Sequence, residues 1–120
     1  MHSFHYKDGS LHCEDVNLAT LAKEHGSPLY VYSAHTFRDH YTRLDAALGD
    51  LDHHIAYAVK ANSNLSILRL LNELGSGFDI VSGGELYRVL QAGGSGSEAA
   101  LLALLLLLLW AGRPLRAVPE

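Results

Sequence analysis

Hydrophobic and polar positions change their spacing along the 120 residues, and the changes divide the chain into short elements. Residues 4 to 12 alternate loosely around Asp8-Gly9, a two-residue turn signal, and predict a small hairpin. Asp15 stands where it would cap a short helix through about His25, with Leu18, Leu21 and Ala22 on one face and Gly26 as the stop. After Pro28, the run Leu29-Tyr30-Val31-Tyr32 has the aromatic and β-branched content of a strand. Ser33 is a natural cap for a helix over Ala34 to Leu48. Phe37, Tyr41, Leu44 and Leu48 fall at i, i+4, i+7 and i+11 and form one apolar stripe. Arg38, Asp39, Arg43 and Asp45 lie off that stripe and predict a solvated face. Gly49 ends the helix.

The second half repeats a shorter unit. His53-His54 leads into an apolar strand, Ile55 to Lys60. Asn64 then caps a helix to about Leu74, with Leu65, Leu68 and Leu71 or Asn72 following the helical period. Gly75-Ser76-Gly77 breaks it, and Phe78-Asp79-Ile80-Val81 reads as the next strand. Ser82-Gly83-Gly84-Glu85 has the form of a capping box and opens a helix through about Gln91, with Leu86, Val89 and Leu90 inward. Strand, helix, strand, helix with short links is the rhythm of a parallel sheet flanked by helices. The strands read as apolar runs, as expected when both faces are covered.

Composition narrows the partners. The length suits a single small domain with a modest core. A net charge of -4 gives no electrostatic reason to bind nucleic acid or anionic lipid. Cys13 is the one cysteine, which excludes an intrachain disulfide and fits a reducing compartment. The first ten residues carry charges and histidines with no apolar core, so a secretory signal is not expected and the cytoplasm is the expected location. His2, His5 and His12 match no standard zinc spacing, so no metal site is expected. Cys13 reads as a small packed side chain, and His53 and His54 as exposed.

Lys60 is the candidate for chemistry. It ends a short apolar strand, and a lysine held out of water there would favour the neutral amine, the nucleophile that forms a Schiff base with an aldehyde. An ordinary strand-end lysine reaching solvent is the other reading, and the strand alone does not decide between them.

Tyr57-Ala58-Val59-Lys60-Ala61-Asn62, followed by Gly77-Phe78-Asp79-Ile80-Val81-Ser82-Gly83-Gly84-Glu85-Leu86, resembles the amino-terminal part of the diaminopimelate decarboxylases. These are pyridoxal 5'-phosphate (PLP) enzymes of the alanine-racemase-like group. The likeness begins with Phe4-His5-Tyr6-Lys7-Asp8-Gly9-Ser10-Leu11 and Gly26-Ser27-Pro28-Leu29-Tyr30-Val31-Tyr32-Ser33, and it runs to about residue 94. It implies an α/β fold: an incomplete (β/α)8 PLP-binding barrel, its first two strand-helix units, preceded by a segment of the family's β domain. Residues 1–33 would contribute to that β domain, residues 34–94 would start the barrel, and residues 95–120 would be a non-family Gly/Ser linker and Leu-rich tail.

The resemblance also implies an activity. Lys60 would hold PLP, Asp79 matches the acidic residue near the cofactor and the lysine, and Ala58 a small residue lining the pocket. The family converts meso-2,6-diaminoheptanedioate to L-lysine and is homodimeric. PLP decarboxylases of the same fold that act on ornithine, arginine or a carboxylated polyamine are the alternative. Closing a turn or pairing with a cation is the other reading of Asp79 from its sequence context alone, and the helix cap explains Ser82 and Glu85 without catalysis. The family's remaining cofactor and substrate contacts belong to later strands, so these residues taken alone are expected to be inactive.

The tail departs from this pattern. Gly93-Gly94-Ser95-Gly96-Ser97 is a flexible linker by composition. The apolar run Ala99 to Ala111 is 13 residues, about 20 Å as a helix, and a bilayer core needs about 20 residues. A membrane span is therefore not expected, whereas association with a surface or a partner is a second expectation for a run apolar all round.

Overall fold

The structure is a computed structural model that describes residues 3–95. The chain divides into two units between Leu51 and Asp52. Expectations for His2 and for the Leu-rich tail lie outside the described residues. No described helix is long and apolar enough to cross a membrane.

The first unit opens with an antiparallel sheet in the order β1 (Phe4–Lys7), β2 (Ser10–Cys13), β3 (Val16–Asn17). Asp8 and Gly9 both take positive φ, 50° and 75°, and close β1 onto β2 with Lys7 opposite Ser10. That pair of left-handed residues matches the twist of a hairpin. The hairpin thus forms where the sequence places it, but a third strand extends it. Glu14, also at positive φ (52°), turns the chain, and β3 pairs with β2 over only two residues. A strand of two residues leaves no period to read. Cys13 is packed in this sheet, 4% exposed, and burial pushes its thiol pKa up, with Glu14 adding to the effect.

The short third strand also moves the next helix cap. α1 spans Leu18–His25, and Asn17, not Asp15, caps it: its Oδ1 accepts from the Ala19 and Thr20 amides at 2.9 and 3.1 Å. Leu18, Leu21 and Ala22 are its half-buried face, as the periodicity predicts, and Gly26 stops it. The strand expected at Leu29–Tyr32 is absent. These residues pair with no described strand, and Tyr30 and Tyr32 are largely exposed. Strand propensity describes fit to a pleated surface, and without a partner ladder it produces none. α2 (Ala34–Leu48) begins and ends where expected, with Ser33 Oγ accepting from the Thr36 amide at 2.9 Å. Its stripe is only half-buried, and Leu44 is exposed.

The second unit is a strand-helix-strand-helix run. β4 covers Ala56–Ala58, a single 3-10 turn Val59–Ala61 follows, and α3 spans Leu65–Glu73. β5 (Gly77–Asp79) lies parallel to β4, and α4 spans Gly83–Gln91. Both strands are shorter than the apolar runs that encode them. The core is built from Val59, Leu68, Phe78 and Val89, all 2% exposed or less. Each such side chain contributes about 1.5–3 kcal/mol by leaving water. α3 buries Ile67, Leu68, Leu70 and Leu71, while Leu65 is exposed at its first turn. On α4 Val89 is buried and Leu86 half-buried, but Leu90 is exposed, against expectation. The position of the sheet sets which part of each apolar arc is covered.

Candidate functional site

The parallel register places Tyr57 beside Phe78 and Ala58 beside Asp79. Side chains alternate across a sheet, so Tyr57 and Phe78 share one face while Ala56, Ala58, Gly77 and Asp79 share the other. Phe78 belongs to the helix-covered face: a Cβ at Gly94 would fall 3.2 Å from Phe78 Cε2 and 2.6 Å from Val89 Cγ1 of α4. Asp79 and Ala58 therefore occupy the opposite face, at the last residue of each strand. The His54 ring lies against Gly77 where a Cβ would stand, which covers this face at the start of β5, two residues before Asp79.

Asp79 is half-buried, and its Oδ1 is shielded from solvent with no hydrogen-bond partner. A buried carboxylate oxygen without a donor is costly, about 1–3 kcal/mol or more, and marks a place for an N–H or O–H from another group. Neither of the local explanations open at the sequence level, a turn closure or an ion pair with a described residue, accounts for that atom.

Lys60 follows Ala58 by two residues, in the 3-10 turn that leaves β4. The sequence places it at the end of a strand and allows either a desolvated or a solvated amine. The structure puts it on a turn, exposed, with no ion-pair partner among the described residues. Nothing in the described residues withdraws it from water. The half-buried Ala58 has a methyl group where a larger side chain would fill the space beside Asp79.

The segment after Lys60 has no regular structure until α3, and side chains hold it. Tyr57 Oη donates to the Asn62 carbonyl at 3.2 Å. Asn62 Oδ1 accepts from the Asn64 amide at 3.0 Å, and Asn64 Oδ1 caps α3 through the Ser66 amide at 2.9 Å. Arg88 Nη1, on α4, donates to the Ser63 carbonyl at 3.2 Å. Sequence periodicity missed Tyr57 and Arg88 in this role, because both bonds join residues whose proximity the fold creates. The adjacency of a tyrosine to the lysine motif is the one local signal.

The serine half of the capping box forms as expected: Ser82 Oγ accepts from the Glu85 amide at 3.2 Å. Glu85 Oε2 accepts from the Val81 amide at 2.7 Å, one residue before the cap. These bonds account for Ser82 and Glu85 structurally. Elsewhere, the His5 and His12 rings stack with centroids 5.9 Å apart. Among the described residues no three histidine, cysteine or carboxylate side chains gather as metal ligands.

Two parallel strands that end side by side in a lysine turn and a half-buried carboxylate fit the opening of a parallel α/β barrel, where sites lie at the carboxyl ends of strands. Comparison with known proteins places that barrel. The family described as pyridoxal-dependent decarboxylase, pyridoxal binding domain, matches residues 34–102, and the chain belongs to this family. The diaminopimelate decarboxylase of Vibrio cholerae is 57% identical over 99 residues, covering 82% of this chain and 24% of that protein. A crystal structure of an Aquifex aeolicus protein superposes with a TM-score of 0.70 at 45% identity, over 81% of this chain and 24% of that one. The Helicobacter pylori diaminopimelate decarboxylase complexed with L-lysine gives a TM-score of 0.64 at 40% identity, over 69% of this chain and 21% of that one. The fold is thus the alanine-racemase-like one of these enzymes, and the chain spans about a quarter of the length of the relatives it matches.

Proposed function

We propose that this chain carries the lysine-bearing opening of a PLP-dependent diaminopimelate decarboxylase, a carboxy-lyase that takes meso-2,6-diaminoheptanedioate to L-lysine. In this reading residues 1–33 contribute to the β domain and residues 34–94 begin the (β/α)8 barrel. The observation that carries it is the pairing of Ala58 with Asp79 at the ends of adjacent parallel strands, with Lys60 just beyond and Asp79 Oδ1 buried without a donor.

The residues present fit the cofactor. Lys60 supplies a primary amine at an exposed strand mouth, reachable by an aldehyde. Asp79 supplies an acceptor that lacks a donor, suited to an N–H of that amine and able to orient it. Ala58 keeps the intervening space clear. PLP, when bound, supplies the aldehyde that condenses with an amine and a ring that accepts electron density as carbon dioxide leaves. The 57% identity to a diaminopimelate decarboxylase supports that substrate over ornithine, arginine or a carboxylated polyamine.

The sequence contains three lysines, Lys7, Lys23 and Lys60, which makes the test direct. The chain is incubated with PLP, reduced with borohydride and mapped by peptide mass. The pyridoxyl label is expected on Lys60 and is lost in Lys60→Ala. Equal labelling of Lys7 and Lys23, unchanged by that substitution, would sink the assignment.

A further inference from the structure

We propose that Arg88 is a positioning residue for Lys60, acting through the Ser63 carbonyl with Tyr57 as its counterpart at Asn62. The proposal rests on the assignment of Lys60 as the PLP lysine.

Lys60 sits on a turn between the fully buried Val59 on one side and an irregular stretch, residues 62 to 64, on the other. Such a segment has few backbone bonds of its own, so its conformation depends on side chains that satisfy its carbonyls. Two do so from different elements. Tyr57, within β4, holds the Asn62 carbonyl at 3.2 Å. Arg88, on α4, holds the Ser63 carbonyl at 3.2 Å across 25 residues of sequence. The Tyr57 bond ties the turn to its own strand.

The Arg88 bond has a different consequence, because α4 follows β5 directly and β5 ends in Asp79. It ties the segment after Lys60 to the unit that carries Asp79. Lys60 and Asp79 are thereby linked by two routes, the β4–β5 register and the Arg88 bridge, and the bridge acts beyond the last paired residues.

A general helix-stabilising role is the competing account, since a cation in the last turn of α4 also suits the helix dipole. That role needs only charge. The bridge needs a donor of the right reach, and a lysine retains one donor while a methionine retains none. Arginine presents its donors in a rigid planar fork, so lysine is a partial substitute.

The test uses the full chain, as wild type, Arg88→Met, Arg88→Lys and Tyr57→Phe. Two readouts are taken: amide hydrogen exchange of residues 62–68, and the share of borohydride-fixed pyridoxyl label on Lys60 against Lys7 and Lys23. In Arg88→Met the Ser66 and Leu68 amides are expected to exchange about fivefold faster, the scale one ordinary hydrogen bond at an exposed site supports. The α1 and α2 amides are expected to be unchanged. The Lys60 label share falls with it, Arg88→Lys restores part of both, and Tyr57→Phe reproduces the exchange effect.

Unchanged exchange at residues 62–68 in both Arg88→Met and Tyr57→Phe overturns the proposal. So does a loss that Arg88→Lys, which keeps the charge, repairs completely in exchange but not at all in label share. If wild type shows the exchange pattern yet no label reaches Lys60, the cofactor assignment fails and the clamp stands. If Lys60 labels equally in every variant, the clamp fails and the cofactor assignment stands. If Arg88→Met does not fold, Arg88→Lys decides: intermediate exchange at Ser66 and Leu68 with a lowered Lys60 label share supports the proposal, and wild-type values of both overturn it.

Discussion

Glu14 shows how one side chain joins elements that sequence periodicity treats separately. Its Oε1 accepts from the His35 amide at 2.9 Å and from Ser33 Oγ at 2.7 Å, at the amino end of α2. The His35 amide chiefly, then the Ser33 hydroxyl, holds its carboxyl pKa below the usual value. A folded-state pKa below the unfolded one gives stability that is present above the unfolded value and lost as pH falls through the folded value. The site is partly exposed, so the contribution is held to about 1 kcal/mol. Glu14→Gln is therefore expected to lower the urea midpoint of wild type at neutral pH, with the difference closing below the usual carboxylate range. Urea titrations across that range check it; a gap that widens in acid refutes it. The role was not legible beforehand, because a glutamate two residues after a histidine in a hairpin carries no sign of its partner.

At the scale of elements, the helix caps were read where they fall except at α1, where Asn17 and not Asp15 is the cap. Ser33 and Ser82 cap α2 and α4 at the expected positions. They differ in what else they do: Ser33 is 4% exposed and also donates to Glu14, while Ser82 is exposed and only caps. Ser82→Ala is expected to cost about 1 kcal/mol, and Ser33→Ala about 2 kcal/mol, since it also leaves the Glu14 carboxylate short of a donor. Thermal unfolding of the two variants gives the order, and equal losses would mean that the Glu14 bond adds nothing. Packing at α3 is the other elemental feature. Leu68 is fully buried in the core of the second unit, so Leu68→Ala is expected to cost about 3 kcal/mol, whereas the exposed Leu65 tolerates the change. The failures at this scale have one cause. Leu29–Tyr32, the Asn17 cap and the exposed Leu90 all depend on where a sheet forms, which no window of residues contains.

For the whole molecule, the count of strands decides what chemistry these residues complete. A (β/α)8 barrel takes eight strands and about 250 residues, and the described residues hold two parallel strands. The cofactor and substrate contacts that later strands supply are not among them. These 120 residues taken alone are accordingly expected to release no measurable carbon dioxide from meso-2,6-diaminoheptanedioate, even if Lys60 takes up PLP. Release that disappears in Lys60→Ala would contradict this.

What the sequence determined was the order and kind of most elements, all but the short β3 and the absent strand at Leu29–Tyr32. The Asp8-Gly9 turn, the serine caps, the glycine stops and the two strand-helix units all follow from bonds and spacings between near neighbours. The lysine motif also made Lys60 and Asp79 identifiable as the pair to watch. The tertiary structure decided which face each side chain takes and what surrounds it. Asp79 lies opposite Phe78 because parallel register and the packing of α4 choose the covered face. Lys60 reaches solvent because the strand ends two residues early and turns. Arg88 reaches Ser63 because α4 returns beside the loop after β4. The β4–β5 register and the Arg88 bond join residues far apart in the chain, and such contacts exist only once the backbone has paid the entropy of bringing them together.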